Sequence, residues 1–329
     1  MKRNLLLFAL LFSFMATFAA QQTATLQSGD SFTPFYGPGA LIEAYAQAVE
    51  GDVINLSAGS FEATDIEKGV TIIGVYGFSA DVSKATSIAS FNITADNVKL
   101  EGLYLTGTLT IKGADNLTIS RCTLQVLSDT EKADHKYHDN TIIMDCLVRR
   151  CNSMSLSKNA VFRNSCINYF YDLNEAANPA LIENCNIPLF ARCSIPGYFQ
   201  PYAIYRNCLL GLFIDASGTH SSTFAAPFEF SNCLFVKGRY STSYNTFNLN
   251  FNCKTENCYS YTLSSTIVST IDMPRYDSLG DYSVSTYGPV GPIEPKYYPS
   301  IPTISSAEID TQTDADGNLH VKISATARD

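Results

Sequence analysis

Short apolar runs, interrupted by single polar or small residues, recur along most of this chain. Within a run the apolar residues occupy every second position, as at Leu117 and Ile119 before one interruption and Cys122 and Leu124 after it. This alternation is typical of a β-strand with one buried face, and not of a helix. In the clearest copies the interruption is an Asn-Cys pair. The pattern therefore predicts repeated pairs of short strands that meet at a corner.

The repeats have a nearly constant length. Equivalent positions are 19 to 25 residues apart and fall at Leu103, Cys122, Cys146, Cys166, Cys185, Cys208, Cys233 and Cys258. Because units this short cannot bury an apolar face alone, they must stack into a solenoid with one continuous core. The residues predicted to form its structural ladder are Asn184, Cys185, Asn207, Cys208, Asn232, Cys233, Asn257 and Cys258.

The predicted corner residue is Gly, Asn or Asp in most copies, with Arg121 and Ser165 as exceptions. Gly, Asn and Asp tolerate the left-handed backbone that a sharp bend requires. The Cys that follows is predicted to fill the space inside the corner. Thiols stacked about 4.8 Å apart point the same way and do not reach the disulfide torsion, so we predict a reduced stack. Pairing among Cys151, Cys193 and Cys253, which lie off the stack, stays open.

This repeat resembles the right-handed parallel β-helix of the pectate-lyase-like superfamily, in which Asn recurs at a tight corner and like residues stack inside it. The resemblance covers about Gly39 to Ile271. It implies an all-β solenoid of about nine rungs, roughly 43 Å long. Helical spacing of apolar residues over Ala40 to Val49 predicts a helix near residues 40–50. In that family such a helix caps the open apolar end of the solenoid.

Composition divides the chain into four predicted parts. Residues 1–20 have two basic residues, an apolar stretch and then small residues, which predicts a secretory signal peptide. Residues 21–271 hold the β-helix and its capping helix. Residues 272–303 are rich in Pro, Gly, Ser and Tyr and predict an extended strap. Residues 304–329 predict a β-hairpin, and this ending is similar to that of exported β-helix proteins of Bacteroidetes-type bacteria.

Charge and the signal narrow the possible partners. The chain has 22 basic and 31 acidic residues, a net charge of −9, which argues against nucleic acid and anionic membranes. Past the signal, no segment is long and apolar enough to predict a transmembrane helix. We therefore predict an exported protein, which is secreted, periplasmic or at the cell surface. A polysaccharide or a cell-surface molecule is the predicted partner, without a cofactor.

A polar insertion between Ser128 and Asn140 concentrates groups that could act in catalysis. Histidines three residues apart could share a metal on a helix, and a lysine could act as a base. No third ligand is evident, so a solvated loop without a metal is the alternative that the sequence favours. The catalytic candidates of this insertion are Lys132, His135, Lys136 and His138. A second polar stretch, Asp314 to Asn318, lacks the calcium-loop spacing and predicts a hairpin turn.

Two further groups of side chains are surface candidates. Aromatic runs in the predicted connections between rungs could stack on sugar rings, or could pack beneath the loops. The carbohydrate-binding candidates are Tyr169, Tyr171, Tyr198 and Tyr202. Charged residues near the corners are predicted to form an outward ladder in which opposite charges on neighbouring rungs stabilise each other: Arg163, Glu183, Arg206 and Glu256.

The motifs of the family's enzymes are not evident in this sequence. Family lyases need a basic residue together with calcium-binding carboxylates or a cationic groove, and family hydrolases need paired aspartates. We therefore predict a non-catalytic, exported β-helix that binds carbohydrate or serves as a surface interaction scaffold, and leave open whether it is an enzyme. One alternative is a divergent polysaccharide lyase that acts on acidic glycans near His135. The other is a purely structural or adhesin-like surface protein.

Overall fold

Short strands that return to the same sheets make up most of the described chain. The computed structural model describes residues 22–75, 84–130, 138–153, 157–171, 180–191, 203–214, 229–237, 254–256, 259–262, 303–309 and 321–326. Side chains are described up to residue 233, except those of residues 153, 169–171, 188–191 and 211–214. The predicted signal, residues 1–20, lies outside this part, as does nearly all of the predicted strap, residues 272–303.

The strands follow each other closely along the chain. The first fourteen are β1 (Thr23–Ser28), β2 (Ser31–Tyr36), β3 (Val53–Leu56), β4 (Gly59–Phe61), β5 (Thr71–Ile73), β6 (Thr86–Ile88), β7 (Phe91–Ile93), β8 (Lys99–Glu101), β9 (Leu103–Lys112), β10 (Thr118–Ser120), β11 (Thr123–Thr130), β12 (His138–Asp139), β13 (Ile142–Met144) and β14 (Leu147–Val148). The others are β15 (Cys151–Ser153), β16 (Ser157–Lys158), β17 (Val161–Arg163), β18 (Cys166–Ile167), β19 (Tyr169–Tyr171), β20 (Ala180–Glu183), β21 (Asn186–Ala191), β22 (Ala203–Arg206), β23 (Leu209–Ile214), β24 (Glu229–Ser231), β25 (Leu234–Lys237), β26 (Lys254–Glu256), β27 (Tyr259–Thr262), β28 (Thr303–Ile309) and β29 (Val321–Thr326).

Two long sheets organise these strands. Among the described residues, the first sheet runs in the order β2-β1-β3-β5-β8-β10-β13-β17-β20-β22-β24-β26, and it is parallel from β3 onward. The second runs β27-β25-β23-β21-β18-β14-β11-β9-β6-β4, with β7, β15 and β19 pairing beside that path. A chain that alternates between two parallel sheets is a β-solenoid, so the predicted all-β parallel solenoid is confirmed. The number of rungs and the right-handed winding stay predictions.

The predicted corner lies between a strand of the first sheet and the following strand of the second. Every described corner from β8 to β25 has a positive φ of 49° to 67°, the left-handed conformation that Gly and Asn adopt at least cost. The corner residues are Gly102, Arg121, Asp145, Asn164, Asn184, Asn207 and Asn232. The side chain after each corner is almost completely buried: Leu103, Cys122, Cys146, Ser165, Cys185, Cys208 and Cys233.

One repeat is shifted by a residue from the predicted register. Asn164 occupies the corner with φ 49°, and Ser165 takes the stacked position. Its hydroxyl donates to the Arg163 carbonyl at 2.8 Å and accepts from the Cys146 N–H at 3.1 Å. Cys166, predicted to belong to the stack, is therefore only half-buried. The physical reason is that Asn tolerates the left-handed corner better than Ser.

The stacked thiols have backbone partners. The five described thiols of the stack each lie 3.1 to 3.4 Å from the carbonyl oxygen two residues earlier in the chain: Cys122, Cys146, Cys185, Cys208 and Cys233. Burial raises the pKa of Cys185 to about 12. The described cysteines are free thiols: Cys122, Cys146, Cys151, Cys166, Cys185, Cys208 and Cys233. Cys193, Cys253, Asn257 and Cys258 lie outside the described residues.

A helix lies near the beginning of the solenoid, as the sequence predicts. Helix α1 (Ala40–Gln47) packs against β1, β2 and β3 and buries Leu41 and Tyr45. The Tyr45 hydroxyl accepts a hydrogen bond from the Glu67 N–H. The Lys68 ammonium donates to the Ala48 carbonyl at 2.8 Å, which satisfies a backbone acceptor at the helix end. The role of α1 as a cap of the apolar end stays a prediction.

The C-terminal residues form a separate compact unit, residues 296–329. Within it β28 and β29 pair antiparallel, with Ala307 opposite Ile323 and Ile309 opposite Val321. The predicted turn at Asp314 to Asn318 lies outside the described residues. Across the described part of the chain, no helix has the length and apolar character needed to cross a membrane.

Candidate functional site

His138, the last catalytic candidate of the polar insertion, does not lie in a solvated loop. His138 is almost completely buried, and its Nε2 lies 3.4 Å from Asp129 Oδ2. The other ring nitrogen, Nδ1, lies 3.2 Å from the Thr141 hydroxyl. Because the ring is buried in the core, the expected solvated loop is wrong at His138, while its catalytic role stays a prediction. Lys132, His135 and Lys136 lie outside the described residues.

The surroundings of this pair are also closed to solvent. His138 pairs with Ser157 on the next rung, and Ser157 is 2% exposed. Burial, and then the charge of Asp129, raise the pKa of Cys151 well above its usual value. A thiol held protonated is a poor nucleophile. We call Asp129 and His138 the buried pair. Together with Ser157 and Cys151, this pair is therefore a structural feature of the core.

The aromatic candidates are placed differently from the prediction. Tyr169 and Tyr171 belong to β19, a strand of the second sheet, and not to a connection between rungs. Tyr169 pairs with Leu189 and Tyr171 with Ala191. The side chains of both tyrosines lie outside the described atoms, and Tyr198 and Tyr202 lie outside the described residues. Their roles in binding stay predictions.

Aspartates on successive rungs, which the sequence pattern did not reveal, do occur at a second left-handed corner. This corner is formed by Asn97, Asn116, Asn140 and Asn159, with φ of 54° to 61°. Asp96, Asp115 and Asp139 precede the first three. The Asp115 N–H donates to Asp96 Oδ1 at 2.8 Å, and the Asp139 N–H donates to Asp115 Oδ1 at 2.6 Å. The carboxylates of Asp96 and Asp115 therefore serve the backbone of the next rung, and no metal-binding cluster is found within the described residues.

The outward charges of the first sheet pair between rungs. Arg163 Nε lies 2.9 Å from Glu183 Oε2, and Glu183 is in register with Arg206 on the next strand. Glu101 and Arg121 form another ion pair. Exposed pairs of this kind contribute about 0–1 kcal/mol each. They match the predicted surface ladder and offer no concentrated charge to a ligand.

A more distinctive arrangement lies on the outer side of the second sheet. The Gln125 amide nitrogen donates to the Tyr104 hydroxyl at 3.0 Å. Arg149 Nη1 donates to the Gln125 amide oxygen at 3.3 Å. Tyr104, Gln125 and Arg149 belong to three successive rungs, and the half-buried Asn168 follows on a fourth. We call these four residues the polar row.

The strand register explains why these side chains face outward. Leu105, Leu124, Val148 and Ile167 are aligned on adjacent strands and are buried. The next residue of each rung must point to the opposite side. The ladder continues there, since the Arg149 N–H donates to the Leu124 carbonyl at 2.8 Å and the Asn168 N–H to the Val148 carbonyl at 2.8 Å. Gln125, Arg149 and Asn168 therefore lie side by side on the surface.

The sequence contains a signal for this row. Gln125, Arg149 and Asn168 each lie three residues after the stacked position, which is held by Cys122, Cys146 and Ser165. If Cys166 is placed in the stack, the residue three positions later is Tyr169 and not Asn168, and the row is no longer visible. Residue types at this offset also differ from rung to rung, so a search for repeated letters does not find them.

The chemistry of the row suits an extended anionic ligand. A phenol, two amides and an exposed guanidinium offer hydrogen-bond donors along about 14 Å of the solenoid axis. Guanidinium binds carboxylate through two parallel hydrogen bonds and stays protonated in proteins. Gln125 holds one edge of the Arg149 side chain, which reduces the entropy lost when an anion binds.

Comparison with known proteins gives little further information. No protein-family model matches the chain, and no curated protein matches it. Among solved structures it is similar to the pectin methylesterase from Aspergillus niger in deglycosylated form, with a TM-score of 0.36 and 13% sequence identity. That alignment covers 74% of this chain and 90% of the other. A similarity of this size carries no information about activity.

Proposed function

We propose that this protein is an exported, non-catalytic β-helix of the pectate-lyase-like type that binds acidic carbohydrate along the polar row. The observation that carries the proposal is the hydrogen-bonded series Tyr104, Gln125 and Arg149 on successive rungs. Regular rungs hold these polar groups side by side, and Arg149 is the cation among them that can pair with an acidic group of the sugar. The predicted secretory signal supports the proposal, because such polymers occur outside the cell.

Binding, and not cleavage, is the activity that the chemistry of the row supports. A lyase must remove the proton beside the uronate carboxylate, so it needs a group that can accept a proton. The row offers one basic residue, Arg149, without the calcium-binding carboxylates or the cationic groove that family lyases need beside it. His138, which could accept a proton, is buried beside Asp129. The row can therefore hold an anionic sugar without activating it.

A binding screen with the mature full-length chain tests this proposal. Oligogalacturonate is the acidic probe and a cello-oligosaccharide of equal length is the neutral control. We expect binding to the acidic probe, weakened by salt, and no binding to the neutral one. Equal binding to both would contradict the proposal. A rise in ultraviolet absorbance during incubation with the acidic probe would show elimination and would also contradict it.

A further inference from the structure

The N-terminal edge of the first sheet is an exposed strand with an apolar outer side. Strand β2 pairs only with β1 and is the last strand of the sheet in the described chain. All of its residues except Phe35 are exposed. Phe32 is 62% exposed and Tyr36 is 58% exposed, and both lie on the same face as Pro34. Exposed, apolar edge strands are templates for pairing with another chain.

The hydrogen-bond pattern fixes which backbone groups β2 leaves at its free edge. The Gly37 N–H donates to the Gln22 carbonyl at 2.8 Å, just beyond the pairing of Tyr36 with Thr23. Backbone direction alternates along a strand, so the N–H groups of residues 31, 33 and 35 also face β1. The backbones of Phe32, Pro34 and Tyr36 then face outward. Pro34 is the member of this set without an N–H.

The spacing of these three residues suits a second copy of the same chain. In an antiparallel pairing of two β2 edges about a two-fold axis at Pro34, Phe32 of each copy lies opposite Tyr36 of the other. Directly opposite aromatic residues stabilise paired strands. The backbone groups of residues 32 and 36 are also complementary in this register. The only defect is at the centre, where two proline rings meet and two hydrogen bonds are missing.

We propose that Pro34 keeps this chain from self-associating through β2, and that the edge otherwise fits a second copy of itself in the register described above. This inference is independent of carbohydrate binding, because it concerns a different sheet. Replacing Pro34 adds an N–H that points away from β1, so the β1–β2 ladder stays intact. The unmodified chain stays monomeric at this edge, whereas the variant gains two backbone hydrogen bonds and a cross-strand aromatic cluster.

Molar mass measured by light scattering tests the inference. We expect Pro34→Val to show twice the mass of the wild-type monomer at micromolar concentration. Thr33→Val is the matched control, since it places valine at the neighbouring position, where the N–H already bonds to β1, and it should stay monomeric. A monomeric Pro34→Val, or equal association of Thr33→Val, would overturn the inference. Adding Phe32→Ser and Tyr36→Ser to Pro34→Val should restore the monomer.

A cysteine substitution tests the register and does not depend on the stability of the valine variant. In the proposed pairing, position 34 lies opposite itself, with Cα atoms about 5.5 Å apart, which is within the range for a disulfide. Mild oxidation of Pro34→Cys should therefore give a covalent dimer that reductant reverses. In this register residue 33 of one copy lies opposite residue 35 of the other, so Thr33→Cys should cross-link far more slowly. Equal rates for the two variants would contradict the proposed register.

Discussion

Gln125 and Asp129 lie on the same strand, β11, yet one is at the surface and the other is in the core. Strict alternation would place residues four apart on the same face. Instead Gln125 and Val126 are both partly exposed and Leu127 is buried again. The chain bends at this point, and the register with β9 shifts between Leu124 and Val126. The bend resets the alternation, so one strand supplies both the polar row and the buried pair.

The comparison teaches that polarity alone does not identify a functional residue in a solenoid. His138 stood out in the sequence because it lies in a polar insertion, but it pairs with Asp129 inside the core. Gln125 and Arg149 did not stand out, yet they lie in line on the surface. The predictions below separate the two groups by what each should change: the buried pair should affect stability, and the row should affect binding.

The largest effect should come from breaking the buried pair. His138→Ala leaves a cavity in the core and removes the ring contact of Asp129, and we expect the free energy of unfolding to fall by about 3–5 kcal/mol. Chemical denaturation measures this change. Replacing both residues with leucine should recover much of the loss, because an apolar pair fills the space and leaves no buried polar group without a partner. If His138→Ala were no more destabilising than Arg149→Ala, the structural role of the pair would be refuted.

The bend itself can be disturbed through Gly107. A Cβ at this position would overlap the Ser90 hydroxyl, which accepts the Thr108 N–H at 2.8 Å. We expect Gly107→Ala to cost about 1–3 kcal/mol through overpacking and to weaken binding at the adjacent row. Combining it with Ser90→Gly should recover part of the stability. Unchanged stability and binding in Gly107→Ala would show that the bend tolerates a side chain.

Alkaline pH should destabilise the stack of thiols. Folding raises the pKa of Cys185 from its usual 9.0 to about 12. Its contribution to stability is therefore complete below about pH 9 and is lost as pH rises toward 12. At pH 10 the stability lost through Cys185 amounts to about 1 kcal/mol. Between pH 9 and pH 12 the free energy of unfolding should fall less steeply with pH in Cys185→Ala than in the wild type. Denaturation at several pH values measures this slope, and equal slopes for the two proteins would contradict the raised pKa.

The smallest effect should come from the centre of the row. Gln125 supports Arg149 through one exposed hydrogen bond of 3.3 Å from the guanidinium, whose length and exposure keep its contribution to about 0.5–1.5 kcal/mol. We expect Gln125→Ala to weaken binding of oligogalacturonate about threefold to tenfold while the midpoint of thermal unfolding stays close to that of the wild type. Titration calorimetry measures the affinity. A larger loss than in Arg149→Ala would mean that the amide, and not the guanidinium, dominates recognition.

The parallel solenoid and its left-handed corners were predictable, because alternation and a repeated Asn-Cys pair are strong local signals. The register at Cys166 was not, since the conformational preference of Asn164 outweighs the alignment of cysteines. The second corner, at Asn116 and Asn140, lies at an Asp-Asn pair that lacks the flanking apolar alternation of the Asn-Cys repeat, so its signal in the sequence is weaker. The polar row depends on which residues become neighbours between rungs, and that information is absent from any single repeat.

Titration of oligogalacturonate against wild type, Arg149→Ala and Arg206→Ala tests the central claim most directly. Arg206 is the matched control, because it is an exposed arginine on the other sheet. A charged hydrogen bond is worth about 1.5–3 kcal/mol, so Arg149→Ala should lose about tenfold or more in affinity, while Arg206→Ala should bind like the wild type. Equal affinities for all three proteins would contradict the assignment of the polar row as the carbohydrate site.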